Sequence, residues 1–292
     1  MDNTLFPEHE WDYVNNAVER VKLAWVSHHH MNPEGKPMLL AFSGGKDSVC
    51  LFFVCKQASE ELSIPMEQMF HIQYNITTVD PPELVYFIRE MKKDYPFIEL
   101  HHPKKTMWQL IEENGILPTM GMRYCCRVLK ETSHVKGGFT LTGVRKAESA
   151  KRSKREPFEI HDKKEIILLN DNDYDRREKE FCMQKNVHIC NPIIDWTEAD
   201  VWHFIKGKNL PYCKLYDEGF DRLGCIGCPM KSREKRELDF QRWEGFKRKY
   251  LEACAKVCEK RGRRETAEEL FDWWISGISV DKSKQSETLF DF

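Results

Sequence analysis

The chain has 292 residues, 41% of them hydrophobic and 32% charged, with 45 Lys/Arg against 47 Asp/Glu and a formal net charge of −2. That apolar share sustains a sizeable core, which excludes wholesale disorder, and the near-neutral balance excludes polyanion binding by the molecule as a whole. No apolar run approaches the roughly 18 residues of a membrane span and the first residues are acidic with no apolar leader core, so the expected location is cytoplasmic, with no membrane partner.

Residues 10–28 place Trp11, Val14, Ala17, Val18, Val21 and Ala24 at helical spacing on one face. Residues 38–42 read as a short buried strand and 48–61 as an apolar helix. A second strand is expected over 69–74, followed by a polar stretch over 75–82 and a helix over 83–95. A third strand over 97–101, a helix over 107–114 and a fourth strand over 139–144 continue the pattern. Strands alternating with helices predict right-handed crossovers and a parallel sheet covered on both faces. Ligands of such sheets bind beyond the carboxyl ends of the strands, and the polar turns after Phe42, Tyr74 and Val144 all fall there.

Residues 151–180 are heavily charged and read as an exposed insertion or loop. Further on, Asp195 or Thr197 is expected to cap a helix that carries Glu198 and Asp200 in its first turn and packs Trp202 inward. Residues 231–276 read as helical, ending in Phe271, Asp272, Trp273 and Trp274. Within them, 231–264 hold thirteen Lys/Arg against six Asp/Glu, a candidate local nucleic-acid surface whose ordinary alternative is a solvated helix face.

Between the first strand and its helix stands Ser43-Gly44-Gly45-Lys46-Asp47-Ser48. Glycines there let backbone N–H groups point at an anion, and the helix N-terminus adds favourable partial charge. The serine hydroxyls add donors and Lys46 a point charge, while Asp47 suits Mg²⁺ held through water. The turn matches neither the G-x-x-x-x-G-K-[ST] loop nor G-x-G-x-x-G. It resembles the PP-loop of the adenine-nucleotide alpha-hydrolase superfamily, which implies binding of the pyrophosphate of ATP.

Three further stretches narrow the resemblance. Thr142-Gly143-Val144-Arg145-Lys146-Ala147-Glu148-Ser149 with Arg152 is similar to the G-x-R-x-x-E-S segment of phosphoadenosine phosphosulfate reductase relatives. Asn191-Pro192-Ile193-Ile194-Asp195-Trp196-Thr197 to Trp202 is similar to that family's N-P-L-x-D-W-T-x-x-D-V-W segment. Leu215-Tyr216-Asp217-Glu218-Gly219 and Gly224-Cys225-Ile226-Gly227-Cys228-Pro229 continue the match, which spans roughly 38–230. The resemblance implies an α/β, Rossmann-like parallel sheet flanked by helices, of the alpha-hydrolase type, with a helical C-terminal extension. The expected division is an N-terminal helix over 1–36, a PP-loop nucleotide-binding domain over 37–230 and a helical segment over 231–292. It implies an adenine nucleotide held by Ser43, Gly44, Gly45, Lys46, Asp47, Ser48, Asp80, Gly143, Arg145, Ser149 and Arg152, with Lys46 and Asp47 catalytic. On physical grounds Arg145, at a strand's carboxyl end, suits bidentate phosphate or sulfate binding.

Eleven cysteines in a reducing compartment point to metal or sulfur chemistry rather than to a disulfide framework. Cys125 and Cys126 are adjacent, and Cys225 and Cys228 form a C-x-x-C. Four thiolates from two distant pairs suit a metal centre. Zinc is one reading; an iron–sulfur cluster, with four separated corners, is a second, since adjacent cysteines point to different sides of an extended chain; a redox disulfide or no metal is the remainder. The resemblance to relatives that use adenylyl sulfate implies a [4Fe–4S] cluster. Cys50 and Cys55 read as core, Cys254 and Cys258 as helix packing, and the run His28-His29-His30 as an exposed helix end. Cys182, Cys190 and Cys213 carry no assigned role.

Reductases of this family carry a catalytic cysteine in a C-terminal E-C-G-x-H motif, which this sequence lacks, while its PP-loop is intact. The expectation is an ATP-pyrophosphatase or sulfurtransferase-like enzyme that adenylates an acceptor or handles an adenylylated sulfur compound, with a sulfur donor protein as candidate partner. The alternatives are an oxidoreductase acting on adenylyl sulfate and a nucleic-acid-binding module on the same fold.

Overall fold

The computed structural model describes residues 7–32, 35–130, 138–150, 152–161, 166–169 and 187–276. The helices are α1 (Pro7–Met31), α2 (Lys46–Leu62), α3 (Met66–Met69), α4 (Pro82–Asp94), α5 (Met107–Asn114), α6 (Tyr124–Leu129), α7 (Glu198–Gly207), α8 (Arg233–Arg242), α9 (Glu244–Arg261) and α10 (Ala267–Ser276). The strands are β1 (Met38–Ala41), β2 (Phe70–Asn75), β3 (Ile98–His101), β4 (Phe139–Leu141), β5 (Phe158–His161), β6 (Ile166–Leu169) and β7 (Val187–Cys190). They build two compact units, one from Met1–Tyr74, Pro82–His101 and Ser133–Leu223, the other from Asn75–Pro81, His102–Thr132 and Gly224–Phe292.

The first unit is an α/β layer structure around one sheet of order β3-β2-β1-β4-β7-β5-β6. β1 pairs parallel with β2 and β4, and β4 parallel with β7. The apolar run Met38–Leu40 is buried in β1, and α2 buries Val49, Cys50, Leu51, Phe52, Val54, Cys55 and Ala58, the pattern of elements covered on more than one face. α1 packs on α2 and buries Val14, Ala17, Val18, Val21 and Ala24.

Four expectations are corrected here. The sheet is not wholly parallel: β5 runs antiparallel to both β6 and β7, because the connection from β5 to β6 is only a few residues long, too short for a crossover. The stretch 151–180 is therefore not simply a loop, since Phe158 and Ile160 are core and Glu159 is buried against Arg155; residues 151, 162–165 and 170–180 lie outside the described residues, as does Cys182. His28 is buried, with Nε2 2.6 Å from the Lys36 carbonyl and Nδ1 accepting the Phe139 N–H at 3.2 Å, so only His29 and His30 form an exposed end. Trp202 is half-buried and donates to Glu198 at 3.1 Å, whereas Trp196 is the buried indole, donating to the Tyr13 carbonyl at 3.2 Å. Thr197 does cap α7, in a reciprocal pair with Asp200.

The second unit is helical and aromatic. Tyr250 stacks on Trp274 at 4.9 Å, takes Trp108 edge-on at 4.9 Å and Phe240 at 5.5 Å. The Trp274 indole N–H donates to Pro118 O at 2.7 Å and the Arg236 guanidinium to Trp274 O at 2.9 Å. No helix among the described residues is long and apolar enough to cross a membrane.

Candidate functional site

The turn from β1 into α2 is shaped by Gly44, at φ +72°. A Cβ there would stand 2.5 Å from Ile88 Cδ1 and 2.8 Å from Leu84 Cδ1, so backbone angle and space both demand glycine. Gly45 is the N-cap of α2 and offers no side-chain cap. The Ser43 N–H and hydroxyl both donate to Ser48 Oγ at 3.2 Å, and Ser48 Oγ donates to Gly45 O at 2.9 Å. The Lys46 amide donates to the Tyr216 hydroxyl at 2.8 Å, and its ammonium donates to Asp221 O at 2.7 Å and lies 3.3 Å from Glu198. The amides of Asp47 and Ser48 fall in the first turn, which has no intrahelical acceptor, at the positive end of a 17-residue helix. Ser43, Gly44, Gly45, Lys46 and Ser48 thus lie together on the turn and first helical residues of the first unit.

Arg145 has a different task from the phosphate contact expected of it. Its buried guanidinium donates from Nε to Asp47 at 2.6 Å, to Glu198 at 2.7 Å and to the Trp196 carbonyl at 3.3 Å. Two carboxylates and a carbonyl occupy the fork that a phosphate would need. Burial raises the Asp47 pKa, opposed by Arg145 and Lys46. Ser149 and Arg152 also bond within the chain. The Arg152 N–H donates to Ser149 Oγ at 3.3 Å, its side chain pairs with Glu148, and Glu148 accepts the Arg145 N–H at 3.0 Å. Together they buttress Arg145. A Cβ on Gly143 would meet Asp47 O at 3.0 Å and Ser48 N at 3.2 Å, so Gly143 lets the exit of β4 lie against the first turn of α2. Sequence reasoning assigned no role to Tyr216, which sat in a family-like stretch, or to the Asp221 carbonyl, which has no sequence signal at all.

All four cysteines of the proposed centre belong to the second unit. Cys125 and Cys126 open the helix α6 rather than lying on extended chain, and at 3.6 residues per turn neighbours stand about 100° apart, so both can face one centre. The Cys125 thiol donates to Cys126, which pushes Cys126 well down; Arg123 assists, its guanidinium 3.4 Å from the sulfur. The same bond, together with burial, pushes Cys125 up, with Cys225 and Cys228 adding to the rise. The Lys130 ammonium is held charged chiefly by Cys225, with Asp80 assisting.

The C-x-x-C loop is fixed from three directions. Ile226 N–H donates to Val79 O at 2.8 Å, Tyr250 donates to Ile226 O at 3.1 Å, and the buried Asp239 takes the Gly227 N–H at 2.9 Å and the Lys231 ammonium at 2.6 Å. Gly227, at φ +69°, would bring a Cβ within 2.5 Å of Phe240. Asp80 accepts from the Thr77 N–H and hydroxyl, both at 2.7 Å, and Thr77 accepts from Cys225 at 3.5 Å, so Asp80 shapes the loop beside the thiol. Asp239→Ala should lower unfolding free energy by about 3 kcal/mol, because it strands a half-buried ammonium and a buried amide; chemical denaturation measures it.

Compared with known proteins, residues 37–231 match the family model described as the phosphoadenosine phosphosulfate reductase domain. An uncharacterized protein of Methanocaldococcus jannaschii is 26% identical over 258 residues, which are 82% of this chain but 45% of that protein, so the chain spans less than half of it. The adenosine 5'-phosphosulfate reductase of Oceanobacillus iheyensis is 28% identical over 250 residues, 82% of this chain and 89% of that one. Among solved structures, a phosphoadenylyl-sulfate reductase from Candida auris aligns with TM-score 0.46 and 14% identity over 78% of this chain and 99% of its own.

Proposed function

The chain belongs to the phosphoadenosine phosphosulfate reductase domain family, and we propose that it binds ATP or an adenylylated sulfur nucleotide at the turn between β1 and α2 and uses it in adenylation or sulfur transfer. The observation that carries this reading is the turn itself: a left-handed Gly44, a helix whose N-cap Gly45 supplies no side-chain cap, and the Ser43–Ser48 hydroxyl pair. Ser43, Gly44, Gly45 and Ser48 hold the pyrophosphate, and Lys46 stabilises charge as the bond breaks. The acceptor attacks the α-phosphorus; its bond to phosphorus forms as the α–β bridging bond breaks and pyrophosphate leaves. Asp47, oriented by Arg145 through one oxygen, keeps the other for Mg²⁺ bound through water.

Cys125, Cys126, Cys225 and Cys228 are the ligands of a [4Fe–4S] cluster in this reading. Zinc on the same four thiolates is the alternative; a cluster offers its four ligands separate corners. When bound, the cluster would supply redox-capable iron beside the substrate's sulfur; Lys130 and Arg123 would bring positive charge near its four thiolates. Nucleic-acid binding through 231–264 has less support, because Arg233, Arg236, Lys256, Lys260 and Arg261 already bond within the chain.

The second reading, reduction of adenylyl sulfate, is favoured by relatives named adenosine 5'-phosphosulfate reductase. It needs an accessible thiol, and Cys254 is buried with its pKa pushed up to about 12 by that burial. One assay separates the two: pyrophosphate release from ATP with candidate acceptors, against thioredoxin-dependent sulfite release from adenylyl sulfate. We expect pyrophosphate and little sulfite. Sulfite at a rate on the order of 1 s⁻¹, with ATP intact throughout, replaces this reading by the second.

A further inference from the structure

We propose that His71, Glu99 and His101 form a divalent transition-metal site at the edge of the sheet, separate from the four cysteines. One ligand atom from each of the three lies within 4.8 Å of the others. The His71 Nδ1 is 3.5 Å from one Glu99 oxygen and the His101 Nε2 is 3.2 Å from the other. The strands dictate this meeting. β3 is the edge strand and β2 its neighbour, and Glu99 and His101, two residues apart on β3, share a face.

The local charges favour a cation. Among the described residues, the two histidines are the ion-pair partners of Glu99, and no lysine or arginine pairs with it. The ring nitrogens of His71 and His101 lie beside that carboxylate, a nitrogen and oxygen donor set of the kind that binds transition metals. The rings stand 6.1 Å apart and 76° inclined, so they do not stack on each other. Side-chain exposures of 33%, 54% and 45% for His71, Glu99 and His101 admit a hydrated ion. They also allow small rotations toward the roughly 3.3 Å separations that bonds of about 2.0–2.1 Å impose.

Two imidazoles and one carboxylate select zinc, cobalt or nickel over magnesium and calcium. Three protein ligands leave at least one position to water. A metal there clips the edge strand to β2, and an ion bound only by the folded chain raises its stability.

The test is a Co²⁺ titration of protein purified anaerobically with its cysteine centre as isolated. The expected result is one Co²⁺ per chain with weak visible absorption and no thiolate-to-cobalt charge-transfer band. His71→Ala and His101→Ala should each weaken it by about tenfold or more, and His30→Ala, at an exposed histidine elsewhere, should not. Zn²⁺ should raise the thermal midpoint of the wild type and not of the His71→Ala/His101→Ala double variant. The site is overturned if the double variant, folded by circular dichroism, titrates like the wild type, or if only thiolate-type absorption appears.

Discussion

Protein purified without oxygen should be brown and carry about four iron atoms per chain, and Cys225→Ser or Cys125→Ser should each remove nearly all of that iron. The two residues lie far apart in sequence but in one compact unit, and their thiols sense each other electrostatically. Loss of one corner ligand exposes the cluster to solvent, so the two substitutions should act as a unit rather than additively. Cys254→Ser is the control: its thiol is buried on α9 and outside the set, so iron should stay. Elemental analysis and the visible spectrum read all three variants. One zinc and no iron would keep the four-thiol set and remove the cluster. Iron retained in both Cys125→Ser and Cys225→Ser, or no metal at all, would remove the assignment altogether.

What the sequence made legible follows from how local each signal is. The helix expected over 107–114 matches α5 residue for residue, because its limits are written next to it: Thr106 and Gln109 form the capping box and Gly115 ends the helix at φ +63°. The passage from β1 into α2 was readable for the same reason, as strand, turn and helix are contiguous. The hairpin of β5 and β6 was not, because four-residue strands inside a charged stretch give no period to count. Nor was the fate of Arg145. Sequence placed a cation at a strand end but could not see Asp47 and Glu198, 98 and 53 residues away, arriving to occupy it. Cys125 and Cys126 were identified as ligand types, yet extended chain was assumed where the two open a helix. The tryptophan-rich end gave no hint that Trp274 and Tyr250 form the platform beneath the C-x-x-C loop.

Gly45→Val should abolish nucleotide binding and leave a folded protein, while Gly44→Ala should damage the fold itself. The two glycines are neighbours with opposite constraints. Gly45 sits at φ −73° and ψ 157°, angles open to any residue, and its added Cβ would meet nothing closer than the Tyr216 hydroxyl at 3.5 Å and Ser43 Oγ at 3.6 Å. Valine there costs about 1 kcal/mol as a poorer N-cap and sets two methyl groups before the first-turn amides, where the phosphates would lie. Gly44 has φ +72° and a Cβ position 2.5 Å from Ile88, so alanine adds a left-handed penalty of about 1–2 kcal/mol to a clash with a buried side chain. Calorimetry with a non-hydrolysable ATP analogue should show affinity falling about 100-fold or more in Gly45→Val, roughly 2.8 kcal/mol, with only a small drop in thermal midpoint. Gly44→Ala should show the larger drop in midpoint. If folded Gly45→Val binds the analogue as the wild type does, the phosphates lie elsewhere, and the hydroxyl pair of Ser43 and Ser48 serves only to stiffen the turn.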